Sequence, residues 1–223
     1  ALHFAHANGF TAMTYRAMLS PLASRFHIRA WDARGHGLSR LPADPASHAN
    51  WYVYRDDLIA FIEPLVEAAG APILLAGHSM GGAMSLERRR AIFADRAIMA
   101  AAYKGRGAFR TWPDEMVADY VDGGTIMRDD GQIELSCAPA WEAANFRAQG
   151  HDIWEALDRL KVPLTLLYAG KNSTCRVPGP QILGERDPNA TVLRLGQATH
   201  FLPMEFPDVV RREILALDAR LSG

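Results

Sequence analysis

Pro72-Ile73-Leu74-Leu75-Ala76-Gly77-His78-Ser79-Met80-Gly81-Gly82-Ala83-Met84-Ser85-Leu86 is the stretch from which the rest of the chain is read. Pro72 to Gly77 is a short apolar run, the pattern of a strand buried on both faces. Ala83 to Leu86 is helical in character, so the G-x-S-x-G at 77–81 falls on a strand-to-helix turn. At such an elbow the flanking glycines leave room for a strained backbone, and the Ser79 hydroxyl stands at the C-terminal edge of the sheet. The N–H of Met80 then lies at a helix N-terminus, where partial positive charge would stabilise a developing oxyanion. The plainer alternative, a Gly-Ser turn without chemistry, is disfavoured by the strand before it and the helix after it.

Working outward, strands and helices alternate. Leu2 to Ala5 is an apolar run that stops at the polar turn His6-Ala7-Asn8-Gly9, and Met13 to Phe26 has helical spacing. Phe26 to Trp31 alternates like a strand before the loop Asp32-Ala33-Arg34-Gly35-His36-Gly37-Leu38-Ser39. Trp51 to Ala69 places Leu58, Ile59, Phe61, Ile62, Leu65 and Val66 at the spacing of an amphipathic helix ended by Gly70 and Pro72. Toward the C-terminus, Val162 to Ala169 and Ala190 to Leu195 read as strands, Val177 to Arg186 as a short helix and Pro207 to Leu221 as a closing helix. Such alternation implies an α/β fold, a mostly parallel sheet covered by helices. Residues 87–160 are mostly helical in pattern with no evident buried strand, which suggests an inserted cap between core segments 1–86 and 161–223.

A serine hydroxyl is a weak nucleophile at neutral pH and needs a base, most often an imidazole. His200 lies in Gly196-Gln197-Ala198-Thr199-His200-Phe201-Leu202-Pro203, between the last strand and the last helix, where a doubly wound sheet opens on the same edge as the elbow. The order serine then histidine, with the histidine near the end, is the hydrolase order. His6 and His36 are explained by structural hydrogen bonds in loops, and the remaining histidines have no supporting motif.

Composition narrows the partners. Twenty-four Lys and Arg stand against twenty-five Asp and Glu, a formal charge of −1 over 223 residues, so no global field draws the chain to nucleic acid or anionic lipid. No apolar run approaches the ~20 residues of a membrane span. Cys137 and Cys175 are expected as thiols, with neither a disulfide framework nor a zinc spacing. The opening Ala1-Leu2-His3-Phe4 has no initiator Met, basic n-region or apolar h-region, so a native leader or first strands are expected to be missing from the sequence. A cytoplasmic location is the expectation.

Taken together, His6-Ala7-Asn8-Gly9-Phe10, Asp32 to Ser39, Gly77 to Gly82 and Thr199-His200-Phe201-Leu202-Pro203-Met204-Glu205 resemble, in order and spacing, the α/β-hydrolase superfamily. The resemblance covers the first 86 residues and about the last 60. It implies an α/β-hydrolase fold with an inserted helical cap, Ser79 as nucleophile and His200 as general base and acid. The family's His-Gly-x oxyanion turn stands here as His6-Ala7-Asn8, which makes Asn8 N–H the second oxyanion donor beside Met80 N–H. Asp32 is implied to brace the mouth of the site.

Two departures stand out. The acid of many members follows the strand at 164–169 as Gly-x-x-Asp, but this chain reads Gly170-Lys171-Asn172-Ser173-Thr174-Cys175, with no carboxylate there; Asn172 can orient an imidazole but cannot neutralise its charge. The family also has a further buried strand after the elbow helix, whereas Ser85-Leu86 runs straight into Glu87-Arg88-Arg89-Arg90. Deleting a central strand would leave its neighbours without ladder partners, so a segment near 86/87, carrying the acid, is expected in the complete protein. The resemblance implies a serine hydrolase of small to medium apolar carboxylic esters, needing neither metal nor organic cofactor. Lactone, amide and carbon–carbon bond hydrolysis, and a receptor that retains the pocket without turnover, are the alternatives; a homodimer is left open. Tyr103, Phe109, Trp112, Tyr120, Trp141, Phe146 and Trp154 are candidates to line the pocket, or ordinary packing.

Overall fold

A computed structural model describes residues 1–70, 73–78, 90–148, 153–176 and 178–222. The chain divides into two compact units, Ala1–His151 and Asp152–Gly223. The expected junction of an omitted segment, near 86/87, lies outside the described residues.

In the first unit, β1 (Leu2–Ala5) is the middle strand of a parallel sheet, between β2 (Ile28–Ala30) and β3 (Leu74–Gly77). Leu2 and Phe4 are buried with His3 between them, the double-faced burial that an all-apolar strand requires. The register pairs Ala5 with Gly77, and the N–H of His78 donates to Ala5 O at 3.0 Å. The C-terminal ends of β1 and β3 therefore leave the sheet side by side. Between β2 and β3 runs α2 (Tyr52–Ala69), ended by Gly70 in the left-handed conformation at φ +57°, where a side chain would be strained.

The span expected as one helix over Met13–Phe26 is instead a succession of short pieces: 3-10 turns at Ala12–Tyr15 and Ser20–Ser24 around a single α turn, α1 (Arg16–Leu19). Pro21 opens the last piece and cannot donate to the preceding turn. Asp119, from far along the chain, accepts the N–H of Ala17 at 3.0 Å and pairs with Arg16.

Residues 90–148 combine helices with a small antiparallel sheet that the sequence pattern did not suggest. Its order is β4 (Ile92–Phe93), β6 (Ile133–Leu135), β5 (Thr125–Met127). The helices are α3 (Arg96–Tyr103), capped by the Asp95 side chain accepting from Ile98 N–H at 2.7 Å, α4 (Asp114–Gly123) and α5 (Pro139–Arg147). Gly123 lets α4 approach the 12–15 turn, since a Cβ there would overlap Met13 and Thr11. This segment belongs to the same compact unit as the N-terminal strands.

The second unit holds α6 (Ile153–Arg159) and the parallel pair β7 (Leu164–Ala169) and β8 (Ala190–Leu195), in register from Leu164↔Ala190 to Ala169↔Leu195. The crossover helix is α7 (Gly179–Arg186); α8 (Leu202–Glu205) and α9 (Pro207–Ser222) close the chain. Arg220 of α9 donates to Thr191 Oγ1 at 2.7 Å and Thr165 Oγ1 at 2.9 Å, tying the helix across both strands. Cys137 and Cys175 are both free thiols. Among the described residues, no helix is long and apolar enough to cross a membrane.

Candidate active site

The turn after β1 is heavily braced. His6, Ala7, Asn8 and Phe10 are all buried, so every polar group there needs a partner. Two imidazoles cross between this turn and the loop after β2. His6 donates from Nδ1 to Ala7 O at 2.8 Å and accepts the N–H of Ala33 on Nε2 at 2.8 Å. His36 donates from Nδ1 to Arg34 O at 2.9 Å and accepts the N–H of Gly9 on Nε2 at 3.0 Å. A carbonyl can only accept and an N–H can only donate, so these contacts hold His6 as the neutral Nδ1–H tautomer, while Nε2 of His36 also lies 3.1 Å from Asn8 Oδ1. Burial lowers both pKa values, that of His36 to about 3.

The other supports of the turn are equally specific. Ala7 N–H donates to the Tyr15 hydroxyl at 3.1 Å, and that hydroxyl is hydrogen-bonded to Nδ1 of His78 at 2.8 Å. The turn is thus joined through one phenol to the residue that precedes Ser79. Gly9 takes φ +75°, and a Cβ there would overlap the buried Glu142 carboxylate. Asp32 divides its carboxylate between two backbone donors, Ala12 N–H on Oδ1 and Leu38 N–H on Oδ2, both at 2.8 Å, a bracing arrangement.

The Asn8 side chain donates from Nδ2 to Glu142 O at 2.9 Å and accepts from Asn145 Nδ2 on Oδ1 at 2.6 Å. Its backbone N–H enters none of the hydrogen bonds among the described residues. Ser79 and Met80 lie outside the described residues.

His200 stands in the second unit, in the turn before α8. Gly170 and Gly196 allow the loops after β7 and β8 to touch, since a Cβ on Gly170 would overlap Gly196 O. Gly170 N–H donates to Leu195 O at 2.8 Å and Lys171 N–H to Ala198 O at 3.0 Å. This alignment places the Thr174 hydroxyl 3.4 Å from Nδ1 of His200. Asn172, which the sequence offered as a group able to orient an imidazole, instead turns the loop in the left-handed region at φ +48°. Glu205 accepts from both Thr199 N–H and Thr199 Oγ1 at 2.7 Å, fixing the residue before the imidazole. Burial lowers the pKa of His200, which favours the neutral, proton-accepting ring at physiological pH.

The candidate pocket aromatics largely pack on one another. Phe109 meets Tyr103, Trp112 and Tyr120 with ring centroids 4.6, 4.7 and 4.9 Å apart, and Phe10 meets Tyr120 at 5.3 Å. Trp141 is a core residue whose indole N–H donates to Arg34 O at 2.9 Å. Among the described residues no group of three or more His, Cys, Asp or Glu side chains could hold a metal ion.

Residues 4–213 match the model of the alpha/beta hydrolase family, and the chain belongs to that family. Solved structures agree in fold. E-2-(acetamidomethylene)succinate hydrolase superposes with a TM-score of 0.80 at 19% identity, over 98% of this chain and 90% of that one. The peroxisomal alpha-beta-hydrolase Lpx1 of Saccharomyces cerevisiae gives 0.75 at 14% identity, over 100% and 77%. An esterase of Mycobacterium tuberculosis gives 0.69 at 18% identity, over 100% and 84%. No curated protein matches the sequence.

Proposed function

We propose that this hydrolase is a serine esterase acting on a small to medium apolar carboxylic ester through an acyl-enzyme. Ser79 attacks the carbonyl while His200 takes its proton on Nε2, the tautomer in which Nδ1–H donates to Thr174. The N–H groups of Asn8 and Met80 hold the tetrahedral oxyanion, and His200 returns the proton to the leaving alcohol. Water then hydrolyses the acyl-enzyme by the same steps in reverse order of roles. One such oxyanion donor is worth ~10²–10³ in turnover, about 2.7–4 kcal/mol. In this reading 1–86 and 161–223 form the catalytic core, 87–160 caps it, and a segment near 86/87 supplies the acid. Lactones, amides and carbon–carbon bonds are accessible to the same residues, and the ester is preferred because esterases figure among the structural relatives.

The observation that carries the proposal is the pairing of Ala5 with Gly77 and of His78 N–H with Ala5 O. It brings the end of β3, through His78, beside a buried turn whose Asn8 N–H is uncommitted among the described residues. The test is hydrolysis of a p-nitrophenyl ester series by wild type and Ser79→Ala, with fluorophosphonate labelling of Ser79. Wild type should exceed Ser79→Ala by roughly 10⁴-fold or more. Equal rates would reject the enzyme reading. Equal rates together with a ligand-induced rise in melting temperature would establish the receptor alternative, which the neutral hydroxyl at His200 Nδ1 favours.

A further inference from the structure

The side chain of Asn8 is held by a chain of buried amides that no step of the proposed chemistry requires. Tyr54 of α2 donates its hydroxyl to Asn145 Oδ1 at 2.7 Å, Asn145 Nδ2 donates to Asn8 Oδ1 at 2.6 Å, and Asn8 Nδ2 donates to Glu142 O at 2.9 Å. Asn145 itself is 0% exposed, in the second turn of α5. The backbone of α5 is fixed in turn by Trp51, whose indole N–H donates to Asn145 O at 2.7 Å. Asparagine is a poor helix former and a costly residue to bury, so a fully enclosed one within a helix needs a reason. A planar carboxamide bonded at both ends has its side-chain torsions fixed. For Asn8 that constraint falls on the residue whose own N–H is aimed by the same backbone.

We propose that Asn145, oriented by Tyr54, is a positioning residue for the oxyanion turn: its carboxamide clamps the Asn8 side chain and so sets the direction of the Asn8 N–H. The inference rests on the reading of Asn8 N–H as an oxyanion donor. Donors must be in place before the charge develops, so a small error in their direction is felt in the chemical step rather than in substrate binding.

The test uses Asn145→Ala, Asn145→Asp and Tyr54→Phe, each assayed for kcat and KM on the ester that wild type hydrolyses best. Asn145→Ala should lose about 10²-fold in kcat, with KM changed less than twofold. Asn145→Asp has the same shape but, when ionised, sets a second acceptor against Asn8 Oδ1. Protonated, it donates as the amide does, and burial favours that form. Its kcat relative to wild type should therefore recover tenfold or more from pH 8 to 5.5. His36, His48, Glu142 and Tyr54, the titratable groups around the pair, are common to both proteins and cancel in that ratio. Tyr54→Phe should show a smaller loss in kcat, again without a change in KM. If Asn145→Ala fails to fold, the other two variants carry the test.

Ser79-dependent turnover with wild-type kcat in Asn145→Ala, or in Tyr54→Phe where the alanine variant does not fold, overturns the clamp alone. Wild type no faster than Ser79→Ala is a different failure: it removes the hydrolase reading, and the clamp falls with it.

Discussion

His36 titrates in a window that makes its burial measurable. The imidazole is fully enclosed, and its pKa falls from 6.5 to about 3, chiefly through burial, with a contribution from the nearby His6. Between these two values the unfolded chain carries a proton at this site and the folded chain does not. Because the unfolded state binds more protons, stability rises with pH across the window and is lost as pH falls below 6.5. Each pH unit is worth about 1.36 kcal/mol, so between pH 7 and 4.5 the site destabilises the fold by about 2.5 kcal/mol. His6 is shifted in the same direction by burial, as are other histidines, so wild type alone does not isolate the effect.

Comparison with His36→Gln does isolate it. The glutamine can accept from Gly9 N–H but does not titrate, and the other groups cancel in the difference. Four of the five tryptophans, Trp31, Trp51, Trp112 and Trp141, belong to the first unit, so intrinsic fluorescence in urea reports the unfolding that matters. Wild type should lose about 2.5 kcal/mol more than the variant between pH 7 and 4.5. Parallel stability curves for the two proteins over that range would show that His36 is not held neutral, and would refute the reciprocal brace with His6.

Two further outcomes follow from the loops on either side. Gly35 stands at φ +73°, and a Cβ there would overlap the Trp141 indole nitrogen. Gly35→Ala therefore combines left-handed strain of about 1–2 kcal/mol with about 1–3 kcal/mol for displacing the buried N–H from Arg34 O. Thermal unfolding followed by fluorescence should show a melting temperature about 10 °C lower, and an unchanged melting temperature would contradict the packing described. In the second unit, Thr174→Val keeps the shape of the side chain and removes the hydroxyl at His200 Nδ1. Its kcat should fall by up to about tenfold, one hydrogen bond's worth, and a wild-type kcat would deny Thr174 any orienting role.

The strands were legible because they are short apolar runs with turn residues at their ends. Leu2–Ala5, Leu74–Gly77, Leu164–Ala169 and Ala190–Leu195 all lie within the spans the sequence marks. Local patterning failed where distant groups decide. The helical spacing of Met13–Phe26 is genuine, but Pro21 and the bonds from Asp119 divide the segment. Strands β4, β5 and β6 are two or three residues long, too short for a period of two to register. His6-Ala7-Asn8 and His200 were singled out through motif order. Thr174 lay one position beyond the place where the family's acid is expected, and only the approach of Gly170 to Gly196 reveals which side chain reaches the ring. Glu142 and Asn145 had no signal at all, because a carboxylate and an amide in Glu142-Ala143-Ala144-Asn145 read as the solvated face of a helix.

The bonds that α5 makes also constrain how any cap over the site can move. Asn8 to Glu142 O, Asn145 to Asn8, Tyr54 to Asn145, Trp51 to Asn145 O and Trp141 to Arg34 O all join this helix to elements of the first 60 residues. At about 1 kcal/mol each, releasing them together costs on the order of 5 kcal/mol, before any loss of apolar burial by Trp141. A state with α5 lifted is then populated at less than roughly one part in 10³, too rarely for routine substrate entry. If residues 87–160 form the proposed cap and open over a substrate, the hinge must therefore lie outside Pro139–Arg147, and α5 must stay with the His6–Gly9 turn while the rest of the segment moves. On the proposed reading of the Asn8 N–H as an oxyanion donor, a helix held in that way keeps it aimed throughout the cycle, so that its orientation is fixed by folding rather than established anew at each turnover.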